Sequence, residues 1–121
     1  SEALQEARVL LTAGYFHGCI SRSYYAILHA ADAALATKGL VAKSHEGTES
    51  LFGYHFVRTK LVDSKFKGLI DRTHKLRNDA DYHHQIKFTQ EDAEHWFARA
   101  QEFVAAMDDS IPQWLAQFEQ T

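Results

Sequence analysis

Apolar residues recur every three to four positions along nearly the whole chain, the spacing of helices that bury one face. The pattern predicts a first helix over about residues 1–12, ended by Gly14, and a long second helix over about residues 15–38, stopped by Gly39. A third starts after Ser44, a plausible N-cap, and reaches about residue 56. A fourth starts after Asp63 or Ser64 and runs to about residue 82. A fifth starts at Thr89, where Thr89 and Asp92 resemble a capping box with Asp in place of Glu, and runs to about residue 107. Ser110 is expected to cap a short last helix, with Pro112 in its first turn and Trp114 and Phe118 packing back. One Pro and six Gly leave little room for the tight turns of an all-β fold. The expectation is all-α: an up-and-down antiparallel bundle of about five helices with a short C-terminal helix, one domain over residues 1–121.

The fourth and fifth stripes are one-sided. The fourth holds Phe66, Leu69, Ile70, Thr73 and Leu76; the fifth holds Ala93, Trp96, Phe97, Ala100, Phe103, Val104 and Met107. The fourth then breaks its own pattern. At 100° per residue Arg77 falls within about 20° of Phe66 and Ile70, so a cation continues the apolar stripe. Asp81 follows at i+4 and His84 at i+7 on roughly the same face. A charge on an inward face must be paired or must face a cleft or another subunit. Asp81 is the natural partner, and either a buried bridge or a cleft fits. The second helix is also two-sided. Phe16, Ile20, Ser23, Ile27, Ala30 and Ala34 form one stripe, and Arg22, Tyr25, His29 and Asp32 lie nearly opposite. That mixed face suits solvent or an interface rich in Tyr and Arg.

Composition bounds the function. The 121 residues suit one core, and a single cysteine, Cys19, builds no disulfide framework, which points to a reducing compartment, the cytoplasm. Cys19 is expected to be a buried structural thiol. No apolar run approaches the ~20 residues of a membrane span, and Ser1-Glu2-Ala3-Leu4 does not open a signal peptide. The net charge of −3 hides an asymmetry. Residues 58–77 carry seven basic and two acidic side chains; residues 89–121 carry one basic and seven acidic. The two segments can pair internally, or the basic one can meet a polyanion. Eight histidines invite a metal, but only Asp92-x-x-His95 has a ligand-like spacing, and His17, His29, His45, His55 and His74 are scattered. No metal or other cofactor is expected. Walker and G-x-G-x-x-G loops are absent, and no strand–turn–helix context supports a serine hydrolase.

Several segments, taken in order, resemble the HEPN domain family. They are Arg22-Ser-Tyr-Tyr-Ala-Ile-Leu-His-Ala30, Lys38-Gly39, Lys43-Ser-His-Glu-Gly47, Phe56-Val57 and Arg77-Asn-Asp-Ala-Asp-Tyr82. The matching order spans about residues 3–104. The resemblance implies a helical bundle, usually a homodimer, working in RNA or nucleotide chemistry. It also implies toxin–antitoxin or defence loci, with a minimal nucleotidyltransferase as antitoxin-type partner. Many members are metal-independent ribonucleases with an Arg, a following polar residue, and a His after four to six intervening residues. Arg77 and Asn78 fit the first two roles, and His83 and His84, after five and six, fall within the spacing. The commonest spacing, four, falls on Tyr82, and the branch this chain resembles has Ala-Asp-Tyr there without a fixed His.

The chemistry suits those residues. Cleavage of RNA by its own 2′-hydroxyl needs a proton acceptor there and a cation on the phosphate. A histidine titrating near neutrality can do the first, and an arginine can grip phosphate oxygens with two N–H groups. Asn78 can orient either. His84 is favoured if the helix continues, His83 if it ends at Tyr82. Asp81, Tyr82, Arg22, Tyr25 and His29 are the supporting or interface candidates. A non-catalytic module that binds a nucleotide or a partner is the alternative, since a fold does not set a function.

Overall fold

The computed structural model describes residues 1–83 and 85–119, and five α-helices make up the fold among them: α1 (Glu2–Ala13), α2 (Phe16–Ala36), α3 (His45–Phe52), α4 (Leu69–Tyr82) and α5 (Gln90–Glu119). The all-α bundle follows the 3.6-residue period. α2 is its axis, packing against α1, α3, α4 and α5. The apolar stripe explains this position: Ile20, Ser23, Ile27 and Ala34 are buried, as are Tyr24, Leu28, Ala31 and Leu35 beside them. A helix apolar over so wide an arc must be covered on several sides.

Local chemistry sets the ends. Gly14 closes α1 at φ 85°, a left-handed conformation that costs a residue without Cβ little. Ser44 caps α3, its Oγ accepting from the Gly47 N–H at 2.9 Å. Thr89 and Asp92 form the reciprocal box: the Asp92 N–H donates to Thr89 Oγ1 (3.1 Å) and the Thr89 N–H to Asp92 Oδ2 (2.9 Å).

Three boundaries differ from the sequence pattern. α3 ends at Phe52, and Gly53–Val57 continues it as a π turn in which the Arg58 N–H reaches back to Gly53 O (2.9 Å). Asp63 caps only a 3-10 turn, Ser64–Phe66, by accepting from the Lys65 N–H at 2.9 Å. The chain then turns at Gly68, φ 73°, and α4 starts at Leu69. A Cβ at Gly68 would also lie 3.1 Å from Arg72 Nη1, so the left-handed turn and the close approach both select glycine. Finally, no new helix begins at Ser110. α5 runs through Pro112 to Glu119. Pro112 removes one backbone bond on the exposed side, while Trp114, 5% exposed, anchors the far end against Phe56 (ring centroids 4.9 Å). Tertiary packing overrides the local break.

The core is aromatic at the α3–α5 crossing. Phe103, fully buried, meets Phe52 edge-on at 5.5 Å and Phe66 at 5.2 Å. Cys19 is buried, its Sγ 4.0 Å from Ala93 O, and burial pushes its thiol pKa up, as an inert structural cysteine requires. Among the described residues no helix is long and apolar enough to cross a membrane.

Candidate functional site

Arg77 is where α4 turns from core to chemistry. The α4 stripe buries Leu69, Ile70 and Thr73, and Arg77 continues it with a side chain only 17% exposed. Desolvating a guanidinium is costly, so its partners decide whether it can stay there. Nη2 donates to the Tyr25 hydroxyl of α2 at 2.8 Å, and Nη1 reaches Asn78 Oδ1 at 3.3 Å. Nε lies 2.9 Å from Asp81 Oδ2, but its N–H is not aimed for a hydrogen bond, so that contact is mainly ionic. Cζ also lies 5.3 Å from the Tyr25 ring centroid and 5.8 Å from that of Tyr82. Asp81 is itself 31% exposed, so the ion pair is not sealed from water: the cation is mostly buried and its carboxylate partner is partly solvated.

Tyr25 links this cation to a second one. Arg22 Cζ lies 4.7 Å from its ring centroid, and Arg22 Nη1 is 3.9 Å from Glu6 Oε2 of α1. The polar face of α2 is therefore partly a lining of the site. Its outer members separate: His29 is exposed, 6.1 Å from the Tyr25 ring, and Asp32 accepts from Thr48 Oγ1 at 2.8 Å. That bond ties α2 to the first turns of α3.

α4 ends at Tyr82, the condition under which His83 was the better candidate. Yet His83 turns aside. Its N–H caps Asp79 O (3.0 Å), and its Nε2 lies 4.0 Å from Asp79 Oδ1 with the side chain 52% exposed. Among the described residues its ion-pair partner is thus Asp79, not the Arg77–Asp81 pair. His84 lies outside the described residues. Tyr82 is 67% exposed beside Arg77.

Two histidines that looked scattered in sequence stand together here. His74, one turn before Arg77 on α4, stacks on Tyr24 of α2 (5.3 Å, 13° between planes). His45, the first residue of α3, meets His74 edge-on at 5.6 Å, Tyr24 at 5.8 Å and Tyr25 at 6.3 Å. Both imidazoles are half-buried, while Tyr24 is fully buried and its hydroxyl has no hydrogen-bond partner among the described residues. Burial pushes the Tyr24 phenol up to about 12; Tyr25 raises it further and the Arg77 charge opposes them. The cue available in sequence was spacing: His74 precedes Arg77 by three residues, and His45 directly follows the cap Ser44. Among the described residues, no three His, Cys, Asp or Glu side chains are arranged to hold one metal ion.

Among the described residues one ion pair joins the basic and acidic segments, Lys65 Nζ to Glu102 Oε2 at 3.5 Å. Arg99 Nη2 also donates to Lys65 O at 2.8 Å. Local pairing takes Lys75, 3.3 Å from Asp71.

An α2-centred bundle that sets an arginine and a cluster of tyrosine and histidine rings at the α2–α4 junction defines a helical class with a polar, cationic site. Comparison with known proteins gives the family: the HEPN domain model matches residues 1–110, and the chain belongs to the HEPN domain family. A UPF0332 protein of Thermotoga maritima is 30% identical over 110 residues, covering 91% of this chain and 83% of the relative. A Methanocaldococcus jannaschii protein named "Putative toxin MJ0605" is 33% identical over 114 residues, covering 94% and 84%. A second from that organism, "Putative toxin MJ0142", is 28% identical over 94 residues, covering 78% and 64%. No solved structure matches.

Proposed function

We propose that this HEPN chain is a cytoplasmic toxin-type ribonuclease, dimeric and paired with a nucleotidyltransferase-type antitoxin, that cleaves RNA at the Arg77 site without a metal. The observation that carries the reading is the Arg77 guanidinium, held by Tyr25 and Asp81 in a largely buried position that still leaves 17% of its side chain exposed. An arginine fixed in this way presents N–H groups to a phosphate and stabilises charge that grows on its oxygens. The names of two relatives support the toxin role. Asn78 orients Arg77, and a histidine moves the proton; by spacing the candidates are His83 and His84.

A second reading has an observation in its favour. His83 faces Asp79, which suits a module that binds a nucleotide or a partner through Arg77 and Tyr82 without cutting. Incubation of the purified protein with total RNA in EDTA separates the two. Cleavage to 2′,3′-cyclic phosphate ends, lost in Arg77→Ala, supports the ribonuclease. Intact RNA refutes it.

A further inference from the structure

We propose that the proton-transfer groups of this site are His45 and His74, brought to Arg77 from α3 and α4, and not the histidines that follow α4. The inference rests on the ribonuclease reading above and names the residues that carry its chemistry.

Three observations meet here. The first is convergence. His45 and His74 are 29 residues apart in sequence, yet their ring centroids are 5.6 Å apart. Tyr25, the ring 6.3 Å from His45, accepts the hydrogen bond of Arg77. Tyr25 thus links Arg77 to His45, and His74 precedes Arg77 by one turn on α4, which puts both imidazoles in the same ring cluster as the cation. The second is placement. His74 is fixed by stacking on a fully buried tyrosine, and His45 is fixed by the capped start of α3, itself tied to α2 through Thr48 and Asp32. Rigid support is what a proton-transfer group needs, and both residues are half-buried, not sealed. The third is the contrast with His83, which lies past the end of the helix, 52% exposed and turned to Asp79.

The step balances with two imidazoles. The RNA 2′-oxygen bonds to phosphorus while the bond from phosphorus to the 5′-oxygen breaks. The 2′-hydroxyl proton passes to the neutral imidazole. The leaving 5′-oxygen takes a proton from the other ring, which starts as imidazolium. A cyclic phosphate and a 5′-hydroxyl result, and proton exchange with water restores both rings. Arg77 offsets the charge on the non-bridging oxygens. Tyr24 is a positioning residue.

The test measures cleavage of total RNA in EDTA, from pH 5 to 9, by wild type and by His45→Gln, His74→Gln, His83→Ala and His84→Ala. Charged groups acting on Tyr24, the ring that contacts both imidazoles, are Arg77 of α4 and Glu46 and Glu49 of α3, with Asp71 and Lys75 of α4 acting on Glu49; Tyr25 adds to them from α2. The wild-type profile is expected to be a bell. Each of His45→Gln and His74→Gln is expected to lose at least ~100-fold and one limb of the bell. Thermal melts check folding, and if His74→Gln is unfolded, His45→Gln carries the test alone. An active wild type whose His45→Gln and His74→Gln variants keep rate and profile, with the loss at His83 or His84, overturns this inference and leaves the ribonuclease standing. A wild type that leaves RNA intact overturns both.

Discussion

Arg77 Nη2 and the Tyr25 hydroxyl, 52 positions apart in the chain, meet at 2.8 Å and tie the last part of α4 to the middle of α2. That bond joins the arginine to the cluster of rings on α2, α3 and α4. It also accounts for the tolerance of a cation in an apolar stripe: an aromatic face, a hydroxyl and a carboxylate share the charge.

Stability should therefore depend less on Arg77 than on the core. Phe103→Ala, which empties a fully buried site between Phe52 and Phe66, is expected to cost about 3–5 kcal/mol. Arg77→Ala forfeits a hydrogen bond and ring contacts worth about 1–2 kcal/mol and leaves Asp81 partly solvated. Urea melts of the two variants give the order; a larger loss for Arg77→Ala would show a bridge sealed from water.

Pro112 interrupts backbone bonding inside α5 on an exposed turn. Pro112→Ala restores an N–H toward Asp108 and is expected to raise stability, by up to about 3 kcal/mol. A lower melting temperature would mean that the proline sets a bend the Trp114 anchor requires.

Glu49 carries a pH signature. Burial raises its pKa from the ordinary 4.5, and the Asp71 carboxylate, by charge and by hydrogen bond, raises it further. The folded state thus holds this proton more tightly than the unfolded chain. Its contribution is fully favourable below about pH 4.5 and is lost as pH rises through the raised value. Glu49→Gln should raise the melting temperature at pH 7, and the gain should vanish at pH 4. An equal gain at both pH values would point to a cause other than this proton.

Helices α2 and α4 present polar and aromatic groups opposite their buried stripes, including an exposed Tyr82 beside Arg77. A homodimer that covers part of this surface is expected, and sedimentation at micromolar concentration checks it. A monomer would contradict the proposed assembly.

Much of this was legible in the chain. The 3.6-residue period gave the helices, and Gly14, Ser44 and the Thr89–Asp92 box marked their ends because each acts within a few residues. Pro112 misled because the anchoring of Trp114 on Phe56 is a tertiary effect that local propensity does not carry. Arg77 stood out as a charge in an apolar stripe, and Asp81 as its partner. His45 and His74 did not, because their proximity arises from where α3 crosses α2 and α4. His83 sat at an acceptable spacing, but spacing does not say which way a side chain turns once a helix has ended.

The central claim is tested most directly by the rate at which purified protein cleaves total RNA in EDTA, measured for wild type and for Arg77→Ala under the same conditions. Cleavage by wild type, with 2′,3′-cyclic phosphate ends and a loss of at least ~100-fold in Arg77→Ala, is the predicted result. Equal rates in the two proteins, or RNA left intact by a folded wild type, would contradict it.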